Sequence, residues 1–135
     1  MTMNFLLLVS RQGKVRLAKF YNATEPKEQA RVKRQVTAMV LLRPLKNCNF
    51  CDYGEIRVVY KRYASLYFIM GIDQGDNELL ALETIHCYVE ALDRFFGNVC
   101  ELDLIFNFHK AYFILDEFFI GGHIQETSKR EILRR

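Results

Sequence analysis

Four cysteines and three histidines are the side chains of this sequence best suited to metal binding or nucleophilic chemistry. Cys48 and Cys51 form a CxxC pair, while Cys87 and Cys100 stand alone. A structural zinc site takes four ligands, and no second CxxC or paired histidine supplies the other two. A thioredoxin-like pair follows a strand and opens a helix, whereas this one follows an expected helix and enters an expected strand. The thiols therefore read as reduced and without a metal or redox role. His86, His109 and His123 are scattered, and Glu101 and Asp103 lie at a helix start, where carboxylates complement the helix dipole. There is no glycine-rich phosphate loop, no HExxH and no GxSxG. A small enzyme would need His86, His109 or Cys100 to meet through space in a deep polar pocket. No catalytic residue, metal ligand or cofactor is expected, and the chain reads as a non-enzyme.

The elements that would position these residues alternate between two periodicities. Asn4 to Val9 is a short apolar run with strand character, SRQGK is a turn, and VRLAKFY completes a β-hairpin. Thr24 is placed to cap a helix running to about Leu42, with Pro26 in its first turn and Val32, Val36 and Val40 on one face. Pro44 ends it, and the stretch to Glu55 reads as a loop with a short extended piece. From Ile56 onward, IRVVYKRYASLYFIMGI predicts two strands broken at Lys61 and Arg62. In the second strand Ala64, Leu66 and Phe68 would share one face, with Tyr63, Ser65 and Tyr67 on the other.

A long helix is expected from Glu78 to Phe96, with the stripe Leu82, Ile85, Val89, Leu92 and Phe96 inward and Gly97 at its end. A second apolar helix should run from Glu101 to Phe119, buried on nearly every side, and stop at Gly121 and Gly122. From Thr127 a charged terminal helix or frayed tail follows. Strands followed by helices predict an α+β fold, an antiparallel sheet with helices across its faces, in one domain spanning residues 1–135.

Composition narrows the function. Half the residues are hydrophobic and 13% are aromatic, enough for a generous core and for apolar surface buried against a partner. A net charge of +3, from 19 basic and 16 acidic residues, is too mild and too evenly spread for nucleic-acid binding. No apolar run reaches the ~18 residues of a membrane span, and MTMNFLLLVS lacks the basic and small-residue flanks of a signal peptide. A cytosolic interaction protein is the expectation.

Several long blocks, in order, carry a family resemblance. SRQGKVRLAKFY (Ser10 to Tyr21), YKRYASLYF (Tyr60 to Phe68), the stretch Asp76 to Glu117 and IQETSK (Ile124 to Lys129) resemble the small, or sigma, subunits of clathrin adaptor complexes. Ser65 and the run AYFILDEF look like the sigma chain of the trans-Golgi and endosomal complex, adaptor complex one, rather than that of the plasma-membrane endocytic adaptor. Phe20 stands where the family more often has Trp, and residues 44–55 diverge most, so the CxxC inherits no family role.

The resemblance implies a longin-like fold, a five-stranded antiparallel sheet with helices on both faces. It implies a heterotetramer with gamma-type and beta-type large subunits and a medium (mu) subunit, peripheral on trans-Golgi and endosomal membranes and clathrin-coated vesicles. Clathrin and a small GTPase would be reached through the complex. The family's role is vesicle-mediated cargo sorting, in which the sigma subunit helps bind acidic dileucine signals, [DE]xxxL[LI]. Carried over, Ala64 and Val89 would hold one leucine, Leu66, Asn98, Val99 and Leu104 the next apolar residue, and Arg16 would attract the upstream acid. A related longin-type coat or tethering subunit without a dileucine pocket is the alternative within the fold.

Overall fold

The computed structural model describes residues 3–22, 24–43, 49–120 and 123–124. Strands β1 (Met3–Ser10) and β2 (Val15–Phe20) form the expected hairpin, with a turn in which Gly13 takes φ 90°. Helix α1 (Pro26–Leu41) follows, then β3 (Phe50–Tyr53), β4 (Ile56–Tyr63) and β5 (Leu66–Asp73). The sheet order is β2-β1-β5-β4-β3, and every neighbouring pair is antiparallel. Helices α2 (Glu78–Phe96), α3 (Glu101–Phe106) and α4 (Phe108–Phe118) come next. A two-residue ladder of β6 (Phe119–Ile120) and β7 (His123–Ile124) closes the described chain. The fold is α+β, with the five-stranded antiparallel sheet and the helices that the sequence predicted.

The sheet is covered on both faces, and this explains why β1 is a nearly unbroken apolar run. Phe5, Leu7 and Val9 pack with Val32, Val36 and Val40 of α1. Leu6 and Leu8 point the other way, into a cluster with Ile85, Tyr88 and Leu92 of α2 and Ile114, Leu115 and Phe118 of α4. A strand with one wet face would alternate polar and apolar residues, and β1 has no wet face. At the centre the Phe5 ring lies directly over Gly71 of β5. A Cβ there would stand 2.3 Å from the ring, so only glycine permits the approach.

The long helix follows its sequence signals closely. The Asn77 side chain accepts from the backbone amides of Leu79 and Leu80, and Gly97 leaves α2 in a left-handed conformation at φ 63°.

Several expectations are corrected. Thr24 does not cap α1: the cap position is Glu25, without a side-chain cap bond, and the Thr24 hydroxyl donates to Asn22 Oδ1 instead. The strand break is not at Lys61 and Arg62. Strand β4 runs through both to Tyr63, and the reversal is the two-residue turn Ala64–Ser65, with Tyr63 opposite Leu66. A strand is bonded through its backbone, so charged side chains near the sheet's end cost it little. Lys61 is exposed and Arg62 half-exposed. Ala64 therefore lies in a turn and not on the strand face of Leu66, and Tyr63 packs on the same side as Leu66.

The apolar segment after α2 is not one helix. Asn107, at φ −127° and ψ 40°, divides it into α3 and α4. Nor is it buried on every side, since Phe106 is 75% exposed and Leu102 59%. Hydrophobicity all round was read as burial within this chain, and the structure turns part of it outward. Pro44, Cys48, the double glycine and the segment from Thr127 lie outside the described residues.

The free edge of β2 is covered by α3 and α4. The Tyr112 hydroxyl accepts from the Ala18 amide at 3.1 Å and donates to the Ala18 carbonyl at 3.0 Å. Lys19 pairs with Asp116 at 3.3 Å on the same side.

Candidate functional site

The residues singled out for peptide binding gather where the β4–β5 turn meets the end of α2 and the start of α3. Leu66, Val89, Val99 and Leu104 belong to one hydrophobic cluster and are all at most 4% exposed. Val89 was expected in the core stripe of α2, and it is there. Ala64 and Asn98 are exposed and are the two non-glycine residues with positive φ among those described, at 54° and 66°. Each such conformation costs about 1–3 kcal/mol and persists only where the surroundings over-determine it. Both outliers therefore fall on residues of the candidate site, beside its buried apolar floor.

Asp93 supplies the over-determination. Its Oδ2 accepts from the Tyr63 hydroxyl at 2.5 Å, its Oδ1 from the Val99 amide at 2.8 Å, and its carbonyl from the Gly97 amide at 2.7 Å. One side chain thus ties the residue before Ala64 to the residue after Asn98. The bond to Asp93 holds the Tyr63 phenol above its ordinary pKa. Neither Asp93 nor Tyr63 was singled out from sequence. The available signal was an acidic residue in the last turn of a helix, where the dipole disfavours it and some compensating bond is required.

Arg16, on β2, lies on the same side through α3. Its Nε donates to Glu101 Oε2 at 2.6 Å, with both side chains about a quarter exposed. Glu101 is thus an ion-pair partner as well as a first-turn acid. Asp103 takes the capping role expected of this pair, its Oδ2 accepting from the Cys100 amide at 2.9 Å. One edge of the Arg16 guanidinium is held internally, and its remaining donors can meet an incoming carboxylate.

The residues considered for metal or catalytic chemistry are placed differently. His86 is exposed on α2 and pairs with Glu90 at 2.9 Å, and His109 is exposed against the Phe108 ring. Among the described residues no three His, Cys, Asp or Glu side chains cluster to hold a metal ion. Cys51 is on β3, and its CxxC partner lies outside the described residues. Two cavities, of about 510 and 360 Å³, border α1 on the opposite face of the sheet. No helix among the described residues is long and apolar enough to cross a membrane.

Comparison with known proteins agrees with the geometry. Residues 2–135 match the family described as the clathrin adaptor complex small chain. The chain is 60% identical over 134 residues to the AP-1 complex subunit sigma-2 of Dictyostelium discoideum, covering 99% of this chain and 87% of that protein. It is 61% identical over 131 residues to the AP-1 complex subunit sigma-2 of Arabidopsis thaliana, covering 97% and 81%. To the human AP-1 complex subunit sigma-1A it is 58% identical over 132 residues, covering 98% and 84%. A chain of a structure described as a homology model of the full-length AP-3 complex in a stretched open conformation superposes with a TM-score of 0.75. It is 30% identical, with 98% of this chain and 89% of that one covered.

Proposed function

Because the chain belongs to the clathrin adaptor small-chain family, we propose that it acts as the sigma subunit of a trans-Golgi and endosomal adaptor complex and helps bind acidic dileucine signals in cargo tails. The observation that supports the peptide-binding half is that Leu66, Val89, Val99 and Leu104 belong to one buried hydrophobic cluster, with the exposed residues Ala64 and Asn98 adjoining Leu66 and Val99 along the chain. Arg16 is held at the neighbouring edge by Glu101. Burial of two leucine side chains contributes about 1.5–3 kcal/mol each before ordering costs, which suits weak and reversible capture. The upstream acid of the signal meets Arg16 at the rim and adds direction more than strength.

Gamma-type and beta-type large subunits and a medium subunit are the proposed partners, and assembly into a larger complex is supported by the names of the AP-1 relatives, each a complex subunit. It is also supported by the apolar residues left exposed on α3 and α4, Leu102, Phe106 and Phe113 among them. An unpartnered chain presenting these side chains to water would self-associate, whereas a large subunit covering them removes that liability.

Binding of an acidic dileucine peptide to the assembled complex tests the peptide-binding reading. Val89→Asp places a charge in the cluster and should abolish binding. Ala64→Asp is the companion variant: position 64 is exposed and its positive φ suits Asp better than Ala, so the fold is retained while the rim becomes repulsive. A loss of at least about tenfold is expected for each. Unchanged affinity in the Ala64→Asp complex would remove these residues from the binding site.

A further inference from the structure

We propose that the end of the sheet carrying the β1–β2 and β4–β5 turns is a docking surface for an anionic lipid bilayer, so that this chain itself touches the membrane. The strand register puts both turns at one end, since Ser10 of β1 and Tyr63 of β4 both stand opposite Leu66. Arg11 and Lys14 lie in the first turn, and Lys61 and Arg62 lead into the second. The first three are exposed and Arg62, whose Nε donates to the Ala64 carbonyl at 3.2 Å, is half-exposed; among the described residues no ion pair involves any of the four. The carboxylates at this end are already engaged: Asp93 by Tyr63 and Val99, Glu101 by Arg16, and Asp103 by the Cys100 amide.

The opposite end has the reverse character. Asp52, Glu55, Asp73 and Glu78 surround the β3–β4 turn and the start of α2, and Arg57 is the cation that pairs with Asp52 and Glu78. Among the described residues the charges are therefore separated along the strand axis, with one cationic end and one anionic end. A charged plane attracts the first, repels the second and so orients the molecule.

The spacing selects the partner. The order β2-β1-β5-β4 sets the two cationic pairs two to three strands apart, about 10–15 Å. They cannot converge on one phosphate or carboxylate, and they flank turns at the tip of a sheet. Many separate headgroups on a plane satisfy such an array, whereas a single acidic residue meets only Arg16. Each basic side chain near an anionic surface contributes about a fivefold gain in binding, and the gain is confined to roughly a Debye length, about 8 Å at physiological salt. The cationic surface is independent of the peptide pocket, although docking through it would bring that pocket to the membrane from which a cargo tail emerges.

The test compares assembled complexes that differ only in this chain. One carries the native sequence, one carries Arg11→Gln, Lys14→Gln and Lys61→Gln together, and one carries Glu55→Gln at the other end. Binding to phosphatidylcholine vesicles with and without phosphatidylserine is measured by flotation, and binding of a soluble acidic dileucine peptide is measured in parallel. The expected result is at least about a tenfold loss on phosphatidylserine vesicles for the triple variant, no loss for Glu55→Gln, and unchanged peptide affinity for both. Equal binding of native and triple-variant complexes to the anionic vesicles overturns the proposal. An equal loss toward the soluble peptide overturns it too, and assigns the cations to cargo.

Discussion

Among the described residues helix α1 alone covers one face of the sheet, whereas α2, α3 and α4 share the other. On the α1 face Val9, Val32, Val36, Val40 and Val58 are prominent, with one ring contact between Phe5 and Phe20, and two cavities border that helix. The Thr37 hydroxyl is buried there without a hydrogen-bond partner. The other face is interlocked by rings. Phe68 meets Tyr63 and Tyr88 edge-on, and Tyr88 in turn packs on Phe118 and Phe119. The same strands feed both cores through alternate residues, so the contrast comes from what covers them. The strained residues Ala64 and Asn98 stand on the ring-packed side, where a rigid floor can hold unfavourable backbone conformations that a looser one would release.

The comparison is broken most severely by emptying the ring-packed face. Phe68→Ala removes a fully buried ring with two aromatic neighbours, and a loss of about 3–5 kcal/mol in denaturant unfolding is expected. Val36→Ala, also fully buried but on the α1 face, should cost about 2 kcal/mol, because a smaller group is lost. Equal losses for the two would show that the faces are packed alike.

A smaller effect is expected of Tyr63→Phe, which deletes the bond to Asp93 and leaves the ring. The pKa of Tyr63 is raised by that bond, so the stabilisation from the neutral phenol is fully present below about pH 10 and is lost as pH rises further. Tyr88 shares this direction because burial opposes its ionisation. Stability of the native chain should fall above about pH 10, and Tyr63→Phe should fall less steeply in the same alkaline titration. The smallest change is Thr37→Val. Removing a buried hydroxyl that has no partner should leave stability unchanged or raise it by about 1 kcal/mol in thermal unfolding. A clear loss would show that the hydroxyl is bonded in solution.

The framework of the fold was legible because its signals are local and repeated. The α2 stripe and Gly97 placed that helix, and β1 announced itself by its apolar run. The β4–β5 reversal was misplaced because Lys61 and Arg62 resemble a polar break, whereas the turn depends on a positive φ at Ala64, which alanine does not advertise. The split at Asn107 was hidden for a similar reason, since apolar periodicity continues across it. Of the candidate site, the buried residues were found through family resemblance, and only Val89 also through periodicity. Asp93 was missed because its partners lie 30 residues before it and six after it, and no short-range pattern encodes that meeting.

Tyr112 has a consequence for the chain during the interval before it finds its subunits. A sheet with an open outermost strand offers a ready template on which a second copy can add, and then a third, as a growing ribbon. One phenolic oxygen, giving and taking a hydrogen bond at Ala18, occupies both backbone groups of that residue at once. The side chain works as an end-stop at that residue, so a second strand cannot pair its backbone with Ala18.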